Sequence, residues 1–419
     1  MLTAEEHPVE AAAPSRFAWE IVALLWVAQF LNQADRQVFN VTLPLIQQDF
    51  ALTSQQMGLI ATTFTVVFGL LVPFAGVAGD RFARRHIVIV SLVVFSSGTL
   101  LTGAATGFLL LLLFRGVATG AGEALYAPAA AAWIGEAHVA TRARALSLHQ
   151  TANYTGVVLG SLLAGWIADR FGWRSAFALL GIAGLVWAVA LVVRTRRHPL
   201  PRPVANGPLL FGEAARTIAG NRVLIAQLVG FSGLVFILAG YLTWMPTILF
   251  EKFDLTLADA GFSSVVYHHV LGYVGLLGTS FATDRLIVRF PRVRLLAMAC
   301  GLTMCAPFIW LSANADQLWV VYLALSGFGF FRGVYDANLF AAIFDVVEDR
   351  LRSSVTGLIV ASAYVFGALA PLIMGSLKDK YGLTAGLDIL AAVSLASGSI
   401  FAILLLTASR HAAREAGHE

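Results

Sequence analysis

Charge is what this chain has least of. Only 12% of its 419 residues are Asp, Glu, Lys or Arg, against about 25% in ordinary soluble domains. The apolar fraction is 58% and the mean hydropathy is +0.78. Such a chain cannot build a solvated globular surface. Cysteine is nearly missing too: Cys300 and Cys305 share one apolar run, which reads as core packing and not as a disulfide framework. There is no G-x-S-x-G, no H-E-x-x-H, no Walker loop and no close metal cluster, so no enzyme, cofactor or nucleotide-driven reaction is expected. Alternating segments of about ten residues, the mark of a membrane barrel, are also lacking. The first seventeen residues carry Glu5, Glu6 and Glu10 against Arg16 alone, the wrong balance for a cleavable signal peptide.

Long continuous apolar runs are present instead, each near the roughly 20 residues a helix needs to cross a bilayer. They fall at about 19–45, 55–79, 86–106, 108–135, 143–168, 174–194, 220–250, 258–283, 294–313, 317–345, 354–377 and 385–407. The expected fold class is therefore an all-α membrane protein of twelve transmembrane helices. Of the 28 Lys and Arg residues, only Arg36, Arg115 and Arg332 lie well inside spans; those at span ends, such as Arg144, Arg194, Arg222 and Arg294, are counted with the adjoining loops. Twenty lie in the tails and the even-numbered loops, and five in the odd-numbered loops. By the positive-inside rule both termini are expected in the cytoplasm. The net charge of +4 thus reflects topology and does not call for a nucleic-acid partner.

The chain repeats itself. Phe50, Leu52, Thr53 and Gly58 recur as Phe253, Leu255, Thr256 and Gly261 at a shift of 203. "GWIADRFG" (165–172) recurs as "GSLKDKYG" (375–382) at a shift of 210, and Arg142 and Leu148 recur as Arg352 and Leu358. Six spans per half is an even number, so both halves insert the same way up, about a pseudo-two-fold axis along the membrane normal. The expected organisation is a cytoplasmic N-tail (1–17), a six-helix bundle (18–194), a Pro- and Arg-rich cytoplasmic linker (195–219), a second bundle (220–408) and a cytoplasmic C-tail (409–419). Gly156, Gly160 and Gly165, with Gly367 and Gly375, read as points of close helix packing.

Twelve spans, a 6+6 repeat and a basic central loop resemble the major facilitator superfamily. "GVAGDRFARR" (76–85) is similar to that superfamily's signature loop between its second and third helices, with Ala83 in place of a glycine. "GTSFATDRLIVRF" (278–290) is its degraded copy, and "RGVATGAGEA" (115–124) resembles the fourth-helix motif that starts with arginine. The resemblance covers nearly the whole chain. Asp80, Arg81, Arg84 and Arg85 are expected to form an inside gate: a carboxylate in a basic loop gains from a specific partner or a helix end. The alternative is topology and solubility alone.

Charges within the spans are the candidate site. One such group costs roughly 3 kcal/mol at the bilayer centre and is normally turned inward. Asp35 and Arg36 are neighbours, about 100° apart on a helix, so one faces the cavity and the other a neighbouring helix or the cavity edge. Asn40 lies one turn after Arg36 on the same face. Glu123 stands in a glycine-rich apolar stretch with no obvious local cation. Arg332, Tyr335 and Asp336 share a spacing of three and four, so Arg332 and Asp336 can pair. His268 and His269 sit well inside the eighth span, and Tyr126 and Tyr241 are candidate cavity hydroxyls. His149, Gln150, Asn153 and Tyr154 are further candidate lining. Each of these groups has a structural alternative, a satisfied pair or a hydrogen-bonded core residue.

"LNQADRQVFN" resembles the opening of the organic anion:cation symporters, although Gln33 and Ala34 replace the usual tyrosine. That resemblance implies that Arg36 meets a substrate carboxylate and that Asp35 and Glu123 take part in proton coupling. Arg36, Asn40, Tyr126, Tyr241, Arg332 and Tyr335 are the expected substrate contacts, and Asp35, Glu123, His268 and Asp336 the expected proton sites. The expected function is proton-coupled symport of a small organic anion, a sugar acid or another carboxylate, by a monomer in the bacterial inner (plasma) membrane. "DRQVFNVTLPLIQQDFALT" and the fourth-helix "GEA" resemble the spinster-like branch about as well, which leaves transport of lysolipid or another amphiphile, or drug or metabolite export, as alternatives. A membrane scaffold or sensor with transporter ancestry is the minor reading, because the cavity charges are kept.

Overall fold

Thr53 and Thr256, partners in the repeat, each open a helix in the same way. The Thr53 hydroxyl accepts the N–H of Gln56 at 3.1 Å while Gln56 Oε1 accepts the N–H of Thr53 at 2.9 Å, a reciprocal cap. The Thr256 hydroxyl accepts the N–H of Asp259 at 3.1 Å. Just before them, Ala51 (φ 49°) and Asp254 (φ 52°) are the only non-glycine residues of positive φ among the described residues, and they too are 203 apart. Gly172 (φ 80°) and Gly382 (φ 93°) repeat at a shift of 210 and turn the chain where a side chain would be strained. The repeat is therefore written into the backbone as well as the sequence.

The structure is a computed structural model and describes residues 16–138, 141–196, 211–382 and 384–416. The first half holds α1 (Arg16–Asp49), α2 (Ser54–Arg81), α3 (Arg84–Gly103), α4 (Phe108–Ala137), α5 (Arg142–Phe171) and α6 (Trp173–Thr195). The second holds α7 (Arg222–Phe253), α8 (Leu257–Leu286), α9 (Val293–Asn314), α10 (Leu318–Phe344), α11 (Arg352–Tyr381) and α12 (Ala385–Ala416). The described residues are helical and contain no strand.

Nine of these helices are long and apolar enough to span a membrane. The other three, α1, α5 and α8, are as long but more polar. They pack closely together, with Gly160 against Ala34 and Gly261 against Val41 and Ser161. Helices that face one another across the halves can carry polar groups that lipid-facing helices cannot. The twelve-helix expectation counts these three with the nine.

The linker is not wholly irregular. A short helix, Phe211–Gly220, occupies the end of the expected 195–219 connection and runs one residue past it. Its Ala214 and Ile218 are buried with Val347, Leu351 and Val355. Asn221 then caps α7 by accepting the N–H of Val223 at 2.9 Å.

The two ends of the bundle differ. The end that carries the linker holds ion pairs within single halves: Arg84–Glu136 at 3.1 Å, Arg194–Glu20 at 2.5 Å and Arg294–Asp345 at 2.6 Å. Toward the far end the halves lock together, α2 against α11 and α5 against α8. There the Thr62 hydroxyl donates to the carbonyl of Ala368 at 2.6 Å and accepts the N–H of Leu372 at 3.2 Å.

Candidate functional site

A cavity of about 280 Å³ lies between the halves, with Arg36, Gln37 and Asn40 of α1, Phe64 and Phe68 of α2, Arg115 of α4, Leu238 and Thr243 of α7, Asp336 of α10 and Tyr364 of α11 on its wall. Arg36 and Asn40, one turn apart, both reach it. Asp35 does not: the 100° step turns it into the first half, where it is 2% exposed.

The ion pairing crosses between helices. Arg36 does not pair with its neighbour Asp35. Its Nε donates to Glu123 Oε2 on α4. Asp35 instead accepts from the Thr99 hydroxyl of α3 at 2.5 Å and lies 3.6 Å from Arg115 Nη1. Arg115 Nη1 also comes within 4.0 Å of Glu123 Oε1, and its Nη2 donates to the backbone carbonyl of Arg36 at 3.4 Å. Two arginines and two carboxylates thus interlock over α1 and α4. Glu123, with no obvious local cation in the sequence, has two in the fold.

Burial is graded across this cluster. The Arg36 side chain keeps 23% of its surface exposed, while Glu123 keeps 0% and Arg115 4%. Aromatic faces cover the guanidiniums: Phe68 lies 4.4 Å from the Arg36 centre and Phe64 lies 4.6 Å from that of Arg115. Asp35 Oδ2, Arg115 Nη1 and Glu123 Oε1 are buried at ion-pair distances but without a hydrogen-bond partner. Charges held at such distances can exchange partners at less cost than a fully bonded network.

Arg115, an intramembrane cation in the sequence that is absent from the expected site residues, belongs to the site. The signal was its position eight residues before Glu123. The stretch Leu112–Thr119 is π-helical, however, so a period of 3.6 does not say which residues share a face there.

The second half holds a chain of polar groups. Arg332 donates to Asp336 at 2.9 Å and its Nη1 lies 3.0 Å from His268 Nε2. His268 Nδ1 lies 3.3 Å from His269 Nδ1. The expected Arg332–Asp336 pair is formed, but of the two only Asp336 lines the cavity; Arg332, expected to contact substrate, is held behind it by Asp336 and His268. His268 is fully buried between Tyr241 and Phe328, away from the cavity wall.

The three tyrosines depart from their expected place. Tyr126 donates to the carbonyl of Leu25 at 2.6 Å and touches His149, inside the first half. Tyr241 donates to the carbonyl of Ser264. Tyr335 is turned away from Asp336 by the helical step and packs on Phe401. None of the three lines the cavity. Among the other polar residues of α5, Asn153 accepts from Gln29. Gln150 and Tyr154 line a separate groove of about 530 Å³ between α5 and α8.

Of the expected gate residues, the side chains of Asp80 and Arg81 lie outside the described residues. The described bonds of Arg84, to Glu136, and of Arg85, to the carbonyl of Thr195 at 2.8 Å, stay within the first half. Among the described residues no three His, Cys, Asp or Glu side chains gather as a metal site would need.

Two repeated helical halves that enclose a charged cavity at membrane depth define a membrane carrier. The chain belongs to the Major Facilitator Superfamily, whose model matches residues 25–371. It is 28% identical over 390 residues to the hexuronate transporter of Bacillus subtilis (strain 168), covering 88% of this chain and 90% of that one. It is 30% identical over 329 residues to protein spinster homolog 1 of Homo sapiens, covering 73% of this chain and 61% of that one. Its fold is similar to the solved structure of a bacterial homolog of the human lysosomal transporter Spinster, with a TM-score of 0.79, 19% identity, and coverage of 93% and 96% of the two chains. The protein is thus an integral membrane transporter and not an enzyme.

Proposed function

We propose that this transporter is a proton-coupled symporter of a small organic anion, a sugar acid or similar carboxylate, working by alternating access. The observation that carries the reading is the graded charge cluster. Of the two arginines on the cavity wall Arg36 is the more exposed, and its guanidinium is held from behind by the fully buried Glu123. A planar guanidinium suits a carboxylate, which it can grip through two parallel N–H bonds. An anion that claims Arg36 must take it from Glu123. A buried carboxylate left with only the more distant Arg115, which it shares with Asp35, is costly as an anion and is stabilised by accepting a proton. Substrate and proton are thereby linked through one arginine. Asp35 has its own partners in Arg115 and Thr99 and holds the geometry of the cluster. Likeness to a hexuronate transporter over nearly the full chain supports the anionic substrate. The distribution of Lys and Arg supports cytoplasmic termini, and likeness to a Bacillus subtilis transporter supports a bacterial plasma membrane. No nucleic-acid partner is called for, and the carrier is read as a monomer.

The test is uptake of labelled glucuronate into proteoliposomes with and without an inward proton gradient. Accumulation should follow the gradient and collapse with a protonophore. Uptake indifferent to the gradient would remove the coupling, and uptake of neutral glucose equal to that of glucuronate would remove the anion.

One observation favours a second reading, transport of an amphiphile. The groove between α5 and α8 is lined by Tyr154, Tyr273, Val270 and Val274, of which the last three are about half exposed. Such a groove suits a lipid tail, and likeness to spinster homolog 1 points the same way. Competition by lysophosphatidylcholine below its micellar concentration, with none by glucuronate, would favour this reading.

A further inference from the structure

The closed far end is held by a device that the charge cluster does not explain. Asp169, at the end of α5 in the first half, accepts the backbone N–H groups of Leu257 and Ala258 at 3.2 and 3.1 Å. These are the first two residues of α8 in the second half. Asp379, at the end of α11 in the second half, accepts the N–H groups of Ser54 and Gln55 at 3.1 and 3.0 Å. These are the first two residues of α2 in the first half. Asp169 and Asp379 are 210 apart, and Ser54 and Leu257 are 203 apart, which are the two shifts of the sequence repeat. One contact is thus made twice, once in each direction.

Each contact also has the same neighbour one turn earlier. A Cβ placed on Gly165 would fall 2.5 Å from the Ala258 backbone, and one on Gly375 would fall 2.3 Å from the carbonyl of Ser54. Glycine lets the helices touch, and the aspartate one turn on then reaches the helix end. A helix leaves its first N–H groups without internal partners and carries partial positive charge there. Thr53 and Thr256 cap the third residue of each helix from within its own half. The first two are left to the carboxylate of the other half.

We infer that Gly165-x-x-x-Asp169 and Gly375-x-x-x-Asp379 are matched latches that keep the carrier shut at the end away from the linker, and that both must release for that end to open. Each carboxylate bonds to backbone across the halves, so the bonds break when the halves rock apart. This rests on alternating access but not on which solute or ion is carried.

The experiment uses the full chain with Cys300 and Cys305 replaced by serine and spin-label pairs at two places. Thr106 and Gln317 report the far end, and His86 and Val288 the linker end. Distances are measured for the parent, Asp169→Asn, Asp379→Asn and the double variant, in lipid nanodiscs without substrate. An asparagine keeps the shape but loses the charge and part of the accepting capacity, so each single variant should raise the open-to-closed ratio at the far end roughly tenfold. The double variant should raise it further, with a matching closure at the linker end. Gly375→Ala, which leaves both carboxylates intact, should open the same end by steric pressure and serves if the double variant is poorly folded. Unchanged distances in both single variants would overturn the latch. A shift from one and none from the other would overturn the matched pair. Loss of proton coupling or of anion preference in uptake assays would leave these distances, and so this inference, untouched.

Discussion

Glu123→Gln separates binding from coupling. In the parent protein an entering anion competes with the Glu123 carboxylate for Arg36, whose Nε that carboxylate holds. A hydrogen bond to a charged group is worth about 1.5–3 kcal/mol. Displacing it should therefore weaken the anion by roughly 10- to 100-fold wherever Glu123 is ionised. Protonation removes the competitor, so parent affinity should fall as pH rises, by up to about tenfold per unit for one linked proton. Glutamine has the shape of the protonated acid and cannot titrate. In Glu123→Gln the pH slope should vanish, with high-pH affinity rising toward the low-pH value of the parent. The assays are glucuronate binding by calorimetry between pH 5.5 and 8.5, exchange counterflow, and uptake driven by a proton gradient. Counterflow should survive. Gradient-driven accumulation, about tenfold per pH unit per proton in the parent, should fall to the equilibrium ratio. Accumulation that persists in the variant, or a pH slope equal to that of the parent, would refute the linkage through Arg36 and move the proton to Asp35 or to the His268–His269 pair.

Other substitutions probe the rest of the framework. Arg36→Lys keeps the charge but loses the planar fork, and should weaken glucuronate binding by at least about tenfold with the thermal midpoint nearly unchanged. Arg115→Met leaves Asp35 and Glu123 buried with one cation between them, and should cost about 3–5 kcal/mol of stability, read as a lowered unfolding midpoint in detergent. Ala51→Gly relieves a left-handed residue and should raise that midpoint, the gain being about 0.5–1 kcal/mol. A neutral or lower midpoint would show that the turn at 51 is not strained.

The spans and the repeat were legible because they are properties of runs and spacings. The pairing of charges was not. Asp35 and Arg36 attract attention as neighbours, yet the helical step that separates them by about 100° sends each to a different partner. Those partners, Glu123 for one and Arg115 with Thr99 for the other, lie more than sixty residues away. The Arg332–Asp336 pair is legible because a spacing of four on one helix settles the contact by itself. The same spacing rule misplaced Tyr335, three residues from Arg332, because it marks nearness on a helix surface and not which neighbour that surface meets. The latching aspartates were quoted within the repeat, but only the three-dimensional arrangement shows that each copy serves the opposite half.

The symmetry is kept at the gate and lost at the site, and the cycle gives a reason for both. A latch on one side only would let the halves hinge about the other, opening a lateral gap in place of a pathway along the pseudo-two-fold axis. Equal latches on α5–α8 and α2–α11 hold both seams, so rocking must release them together. A charged site has the opposite need. Duplicating Arg36 and Glu123 on the second half would put a second cation and a second buried acid in a cavity of about 280 Å³, where like charges repel. The second half instead carries Arg332 already paired with Asp336 and backed by His268. That pair is close to neutral, which leaves Arg36 as the cation whose partner can be displaced. If this division is right, Asp336→Asn should unmask Arg332 and create a second anion-binding cation. Glucuronate should then bind more tightly but move more slowly, with a lower KM and a lower kcat. A higher KM for that variant would show instead that Asp336 itself helps to seat the substrate.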